Sequence, residues 1–100
     1  MYIGIQRICF DPDSGSIHPK DAKNLCLKIK QRFSVLASFE TRLETGEIHD
    51  LFITTQTQKG AHMKTLSDQI CDFIESTGFG RISQQEVFTR DMHTFFADTL

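Results

Sequence analysis

Residues 33–57, FSVLASFETRLETGEIHDLFITTQT, decide the fold because they contain two β-strands joined by a short loop. From Val35 to Glu40 two sets of side chains alternate with a period of two, which is typical of a half-buried strand. The loop, residues 41–47, contains Gly46, which can adopt the positive φ of a tight turn. Residues 48–57 are rich in β-branched side chains around Phe52. Two strands connected so closely are predicted to be antiparallel neighbours in one sheet.

One strand and one helix precede this hairpin. Residues 2–10, YIGIQRICF, are rich in β-forming side chains and are too short for a stable helix, so they predict the first strand. Pro19 suits the first turn of a helix, where a missing N–H costs nothing. The helix that follows has an apolar stripe at spacings of three and four, formed by Ala22, Leu25, Cys26, Ile29 and Phe33.

A second helix and a fourth strand follow the hairpin. The helix is predicted over residues 62–77, and Gly78 is a suitable residue to end it. Its apolar stripe consists of Met63, Leu66, Ile70, Phe73 and Ile74. Residues 80–89, GRISQQEVFT, predict the fourth strand, and residues 90–100 form a tail that is either a short helix or a loose extension.

The resulting element order is βαββαβ, which predicts an α+β fold of the ferredoxin-like class. Right-handed crossovers would place both helices on one face of a four-stranded antiparallel sheet with strand order 4-1-3-2. One hundred residues, of which 39% are hydrophobic, suffice for a single core. We therefore expect one domain over residues 1–100.

The second sheet face is the first feature that bears on function. Apolar residues fall on both faces of the predicted strands, whereas a solvated face should alternate more cleanly to polar residues. A second copy of the chain is one candidate to cover this face, and the tail is another. The predicted self-association residues are Ile3, Ile5, Phe52, Phe95 and Phe96. The alternative is a sheet with a few scattered exposed apolar residues, which is common in monomers.

The distribution of charge is the second feature. The chain has a formal net charge of −2, yet five of its eleven Lys and Arg residues lie in the first helix. They are Lys20, Lys23, Lys28, Lys30 and Arg32, opposed in that helix by Asp21 alone. Such a helix is a candidate nucleic-acid-binding surface that would contact phosphates. The alternative is an ordinary solvated helix face.

Residue patterns with a specific chemistry are not found in the sequence. Three cysteines lie far apart without a CxxC pair and are interpreted as reduced thiols that fill the core. The four histidines fall in four different elements and form no metal-ligand spacing. Phosphate-binding glycine motifs are also missing. We therefore expect no catalytic residues, metal or cofactor, and a small-ligand sensor or enzyme is the weakest of three interpretations.

The N-terminal sequence MYIGIQRICF lacks the positive cluster and long apolar region of a signal peptide. No stretch approaches the ~20 apolar residues of a membrane span. Together with the separate cysteines, these features predict a cytoplasmic protein with no membrane contact.

Two stretches, SIHPKDAKNL (16–25) and RFSVLASFE (32–40), carry a family resemblance, together with the opening YIGIQRI and the helix ending FIESTGF. In this pattern the chain resembles the YlxP-like family of small bacterial proteins of unknown function, over nearly its whole length. The resemblance implies a ferredoxin-like fold and a bacterial cytosolic setting. It also implies an association with RNA or the ribosome, because family members often lie beside translation and ribosome-assembly genes.

Overall fold

The computed structural model describes residues 1–11, 19–41 and 48–97; the side chains of residues 41, 48–49 and 95–97 lie outside the description. Its elements are β1 (Tyr2–Phe10), α1 (Pro19–Phe33), β2 (Leu36–Thr41), β3 (Ile48–Thr57), α2 (Ala61–Ser76), β4 (Ile82–Asp91) and α3 (Met92–Ala97). The predicted βαββαβ order is confirmed, and the tail contributes the short helix α3.

The four strands form one sheet in the order β2-β3-β1-β4. Every neighbouring pair is antiparallel, and β1 lies between β3 and β4. This is the strand order expected for right-handed crossovers. The chain therefore has a ferredoxin-like α+β fold, as predicted.

Both helices pack on the same face of the sheet. Residues of α1 and α2 share one core cluster with alternate residues of the strands. The most deeply buried side chains are Ile8, Ile29, Leu51, Ile53, Ile70 and Ile74. Because strand side chains alternate with a period of two, the remaining positions of each strand face away from the helices. We call that second side the open face.

A small group of polar side chains is buried beneath α2. Gln6 is 4% exposed, and its Nε2 donates hydrogen bonds to the carbonyl oxygen of Ser67 (3.2 Å) and to Sγ of Cys71 (3.3 Å). Gln85 donates to the hydroxyl of Ser67. Because the buried polar atoms of Gln6 and Ser67 have hydrogen-bond partners, the fold avoids the cost of burying an unpaired polar atom.

Element boundaries differ from the sequence prediction at one helix–strand junction. Residues 33–35 were predicted to open the second strand, but Phe33 completes α1 and its ring packs edge-on against Phe73 at a centroid distance of 5.8 Å. Ser34 then has φ 55°, and its N–H donates to the carbonyl of Lys30 at 3.0 Å. This left-handed residue ends the helix, so β2 starts only at Leu36.

The loop predicted at 41–47 lies almost wholly outside the described residues. The fourth strand runs two residues further than predicted at its C-terminal end, because the pairing with β1 continues to Tyr2 opposite Asp91. Gly78 has φ 71° and follows α2, as the sequence predicts.

Candidate functional site

The open face presents its side chains in rungs that run across all four strands. The register aligns Leu36 with Thr54, Thr54 with Ile5, and Ile5 with Phe88. These four residues, one from each strand, make a rung that we call the apolar rung. It crosses the full width of the sheet.

The apolar rung is exposed to an unusual degree. Leu36 is 68% exposed, Phe88 is 65% exposed and Ile5 is 44% exposed. Single exposed apolar side chains are normal, but aligned ones form a contiguous patch of the kind that marks an interaction site.

The three strand residues predicted for self-association all lie on this face. Ile5 belongs to the apolar rung, whereas Ile3 and Phe52 are half-buried in the rungs on either side of it. The side chains of Phe95 and Phe96, predicted with them, lie outside the described residues.

Sequence reasoning missed the two most exposed members of this patch, Leu36 and Phe88. The available signal was the period of two, which places Phe88 and Glu86 on one face and Val87 on the other. The register needed to align Phe88 with Ile5 comes only from the folded sheet.

Charged residues flank the apolar rung along the strands. In the next rung Arg7 donates from Nε (3.0 Å) and Nη2 (2.9 Å) to the same oxygen, Oδ2, of Asp50. Its Nη1 also lies 3.8 Å from Oε2 of Glu86. In the opposite direction, the rung on the other side of the apolar rung carries Arg90, paired in register with Ile3. The face is therefore acidic towards one end and basic towards the other.

The hydrogen bonds to Asp50 change how its neighbours titrate. They raise the pKa of Arg7 above its ordinary value, and the carboxylate charge adds to this effect. Burial raises the pKa of the Cys9 thiol, as do its hydrogen bond to Asp50 and the charge of that carboxylate. Cys9, predicted to fill the core, is instead only partly buried and lies on the open face.

The five basic residues of α1 separate into two groups. At 100° per residue, Lys23 and Lys30 lie on one side of the helix and Lys28 and Arg32 on the other, with Lys20 opposite the core. The second group faces α2, where the guanidinium of Arg32 lies 5.0 Å from the ring centroid of Phe73. The structure therefore does not gather the five into one patch.

The neighbouring helix α2 is acidic. Asp68, Asp72 and Glu75 are spaced by four and three residues and share one side of the helix, whereas Lys64 is its one basic residue. A basic helix and an acidic helix thus lie side by side, and of the three acidic residues Asp72 lines the groove between them together with Arg32.

The thiols in the helices have the opposite environment to that of a nucleophilic cysteine. The pKa of Cys71 is raised to about 11, by burial first and then by the charges of Asp68, Glu75 and Asp72. Burial also raises the pKa of Cys26. A reactive cysteine requires a lowered pKa, so these residues give no support to thiolate chemistry.

Metal-ligand side chains do not converge within the part of the chain that the structure describes. His62 and His93 are exposed in different elements, and the side chains of His18 and His49 lie outside the description. In the same described residues, no helix has the length and apolar character needed to traverse a bilayer.

The described residues form grooves on the helical side of the molecule, and two of these involve α1. One lies between α1 and the turn after α2, and its walls include Asp21, Lys28 and Thr77. The other lies between α1 and α2 and includes Arg32 and Phe73. If the chain were a small-ligand sensor or an enzyme, these grooves are where its ligand would be sought.

Comparison with known proteins supports the fold alone. No family model matches the chain, and no curated protein matches it. Among solved structures, the de novo designed protein Foldit4 is similar over 91% of this chain and 98% of its own, with 16% identity and a TM-score of 0.56. A Deinococcus radiodurans protein provisionally assigned as an antibiotic biosynthesis monooxygenase is similar over 91% of both chains, with 11% identity and a TM-score of 0.47.

Proposed function

We propose that this chain is a non-catalytic interaction module that forms a homodimer through the open face of its sheet. The observation that carries the proposal is the exposed apolar rung formed by Leu36, Ile5 and Phe88 together with Thr54. Full burial of a side chain such as Leu or Phe is worth about 1.5–3 kcal/mol. In a two-fold interface each of these side chains is buried twice, once from each copy.

The size of the face supports a second copy as the occupant. Four strands about 4.8 Å apart, of which three have nine or ten residues and β2 has six, span a face of roughly 19 by 30 Å at its widest. That is on the order of 600 Å² before the relief of the side chains is added, against about 800 Å² per partner in a standard interface. Two equal faces would therefore use nearly their whole extent.

The polar groups of the face also suit this arrangement. Asp50 is already buried within one chain, at 4% exposed, and pairs with Arg7, so a partner can cover Arg7 without leaving an unpaired buried charge. The opposite charges at the two ends of the face allow two copies to meet in a complementary way.

Analytical ultracentrifugation over a wide range of concentrations tests the proposal. Wild type should sediment as a dimer, and Phe88→Asp or Ile5→Asp should sediment as a monomer because a buried unpaired carboxylate is costly. Leu27→Asp is the matched control, because Leu27 has a similar exposed fraction to Ile5, 48% against 44%, but lies on α1. The dimer should also be lost in the variants Ile3→Asp and Phe52→Asp. A strictly monomeric wild type, or a Phe88→Asp variant that remains dimeric, would overturn the proposal.

We place this dimer in the cytoplasm, in keeping with its three free cysteines. The family resemblance adds a bacterial setting to the same proposal.

RNA binding through α1 is a second candidate, favoured by the exposure of Lys20, Lys23 and Lys30 on the sides of the helix that do not face α2. The proposal predicts binding to labelled RNA at low salt with a log–log salt slope of about −2 for three phosphate contacts. Charge reversal of these three lysines should abolish the change in fluorescence anisotropy. Reversal of Lys28 and Arg32 is the control with less effect, and no binding of wild type at low salt would exclude the proposal.

A further inference from the structure

We infer that the two-fold axis of this dimer runs across the strands through the apolar rung, so that Glu86 of each copy pairs with Arg90 of the other. The inference rests on the proposed homodimer and specifies how its two faces meet. It follows from the order of side chains along β4 and from the charges in the rungs beside the apolar rung.

On β4, Phe88 lies midway between one acidic and one basic residue on the same face. Glu86 comes two residues before it and Arg90 two residues after it. A rotation of 180° about an axis across the strands reverses strand direction and keeps each strand above its own copy. With the axis through Phe88, the position of Glu86 in one copy coincides with that of Arg90 in the other. The segment Glu86–Phe88–Arg90 is therefore complementary to itself.

Shifting the axis by one rung removes this complementarity. An axis through the rung of Arg7 and Glu86 would place Arg7 on Arg7 and Glu86 on Glu86. An axis through the rung of Ile3 and Arg90 would place Arg90 on Arg90. Like charges brought together in an interface are strongly unfavourable. Among these three axes, the one through the apolar rung brings no like charges together.

The apolar contacts favour the same axis. It places Phe88 on Phe88, Ile5 on Ile5 and Leu36 on Leu36, so the most exposed apolar side chains form a line along the axis, with Ile5 on an inner strand and Phe88 and Leu36 on the two edge strands. Because β4 is an edge strand, the two Glu86–Arg90 pairs would lie at the rim. An apolar centre with a polar rim is the usual anatomy of a protein–protein interface.

Glu86 can take part in such a pair. Its Oε1 accepts a hydrogen bond from Nε2 of Gln84 at 2.9 Å, and its Oε2 lies 3.8 Å from Arg7. Its side chain remains 35% exposed, and Arg90 is also exposed. A partner guanidinium would therefore reach this carboxylate from the open side of the sheet.

Charge reversal in separate chains tests this register. Glu86→Arg and Arg90→Glu should each weaken the homodimer on the order of tenfold or more, since each creates two like-charge contacts by symmetry. An equimolar mixture of the two variants should regain wild-type affinity as a heterodimer, because it restores both pairs. Sedimentation equilibrium measures the affinity, and native mass spectrometry identifies the heterodimer. Glu75→Arg makes the same charge change on α2 and should leave dimerisation unchanged.

The salt dependence of the dimer gives a second measurement of the pairing between Glu86 and Arg90. The variant Glu86→Gln/Arg90→Gln should dissociate with a weaker salt dependence than wild type, since rim ion pairs are screened. A dimeric wild type whose two charge-reversal variants associate normally, or whose mixture gives no heterodimer, would overturn this register but not the dimer. A monomeric wild type would overturn the dimer itself.

Discussion

Gly4 and Met63 fit together so closely that one methyl group occupies the space of a side chain. A Cβ added to Gly4 would lie 1.3 Å from Cε and 3.0 Å from Sδ of Met63, which is itself only 4% exposed. Glycine within a strand often marks such a close approach. A side chain at position 4 therefore requires the end of the Met63 side chain to move.

Gly4→Ala should therefore destabilise the fold by about 1–3 kcal/mol, because Met63 must leave a well-packed position. Met63→Ala alone should cost about 2–5 kcal/mol through the cavity it leaves. The double variant should cost less than the sum of the two, because the new methyl group then enters the space that Met63 vacated. Urea denaturation measures all three, and strictly additive costs would show that the two residues are not coupled.

At the scale of single residues, the junction between α1 and β2 could not be predicted from the sequence. The sequence predicts Phe33 twice, at the end of the apolar stripe of the first helix and at the start of the second strand. Phe33 ends the helix in the structure, where its ring packs against Phe73, some forty residues away. Ser34 gives no sequence signal for its positive φ, since glycine or asparagine is the usual residue there. Both features depend on contacts that a local pattern does not contain.

At the scale of elements, local patterns were sufficient for most of the fold. The first and third strands were predicted with the bounds that the structure has, Tyr2–Phe10 and Ile48–Thr57. Both are rich in β-forming side chains, and each ends at a loop rich in turn residues. A period of two divides the residues of each strand between two faces, and only the folded chain shows which of the two packs against the helices. The alignment of Leu36, Ile5 and Phe88 required the register between four strands, which no single strand encodes.

The thiol of Cys71 makes the stability of α2 sensitive to alkaline pH. Its pKa is raised to about 11 in the folded chain, by burial first and then by Asp68, Glu75 and Asp72. Above the ordinary thiol pKa the unfolded chain loses this proton while the folded chain retains it. The folded state then binds more protons, so the free energy of unfolding falls as pH rises through roughly 9 to 11.

Cys71→Ala should reduce this loss of stability, even though the variant is less stable at neutral pH. Titration of the Cys71 thiol lowers the free energy of unfolding by at most about 1.4 kcal/mol per pH unit, and by less where solvent screens the charge. Urea denaturation at several pH values measures the slope. Ile74→Val is the control, because it weakens the same helix contact without a titrating group and should keep the wild-type slope. An identical slope in Cys71→Ala would contradict the prediction.

At the scale of the whole molecule, folding and association are linked if the open face is the dimer interface. A folded subunit that binds a second folded subunit gains stability by mass action, so the thermal midpoint should rise with protein concentration. We expect about 2–5 °C for each tenfold increase in concentration above the dissociation constant. Phe88→Asp should melt at one temperature whatever its concentration, because it does not dimerise. It should still fold, since the exposed ring contributes little to stability within a single subunit. Leu27→Asp should retain the wild-type dependence. A wild-type midpoint that stays constant over a roughly hundredfold range would mean that the apolar rung remains open to solvent.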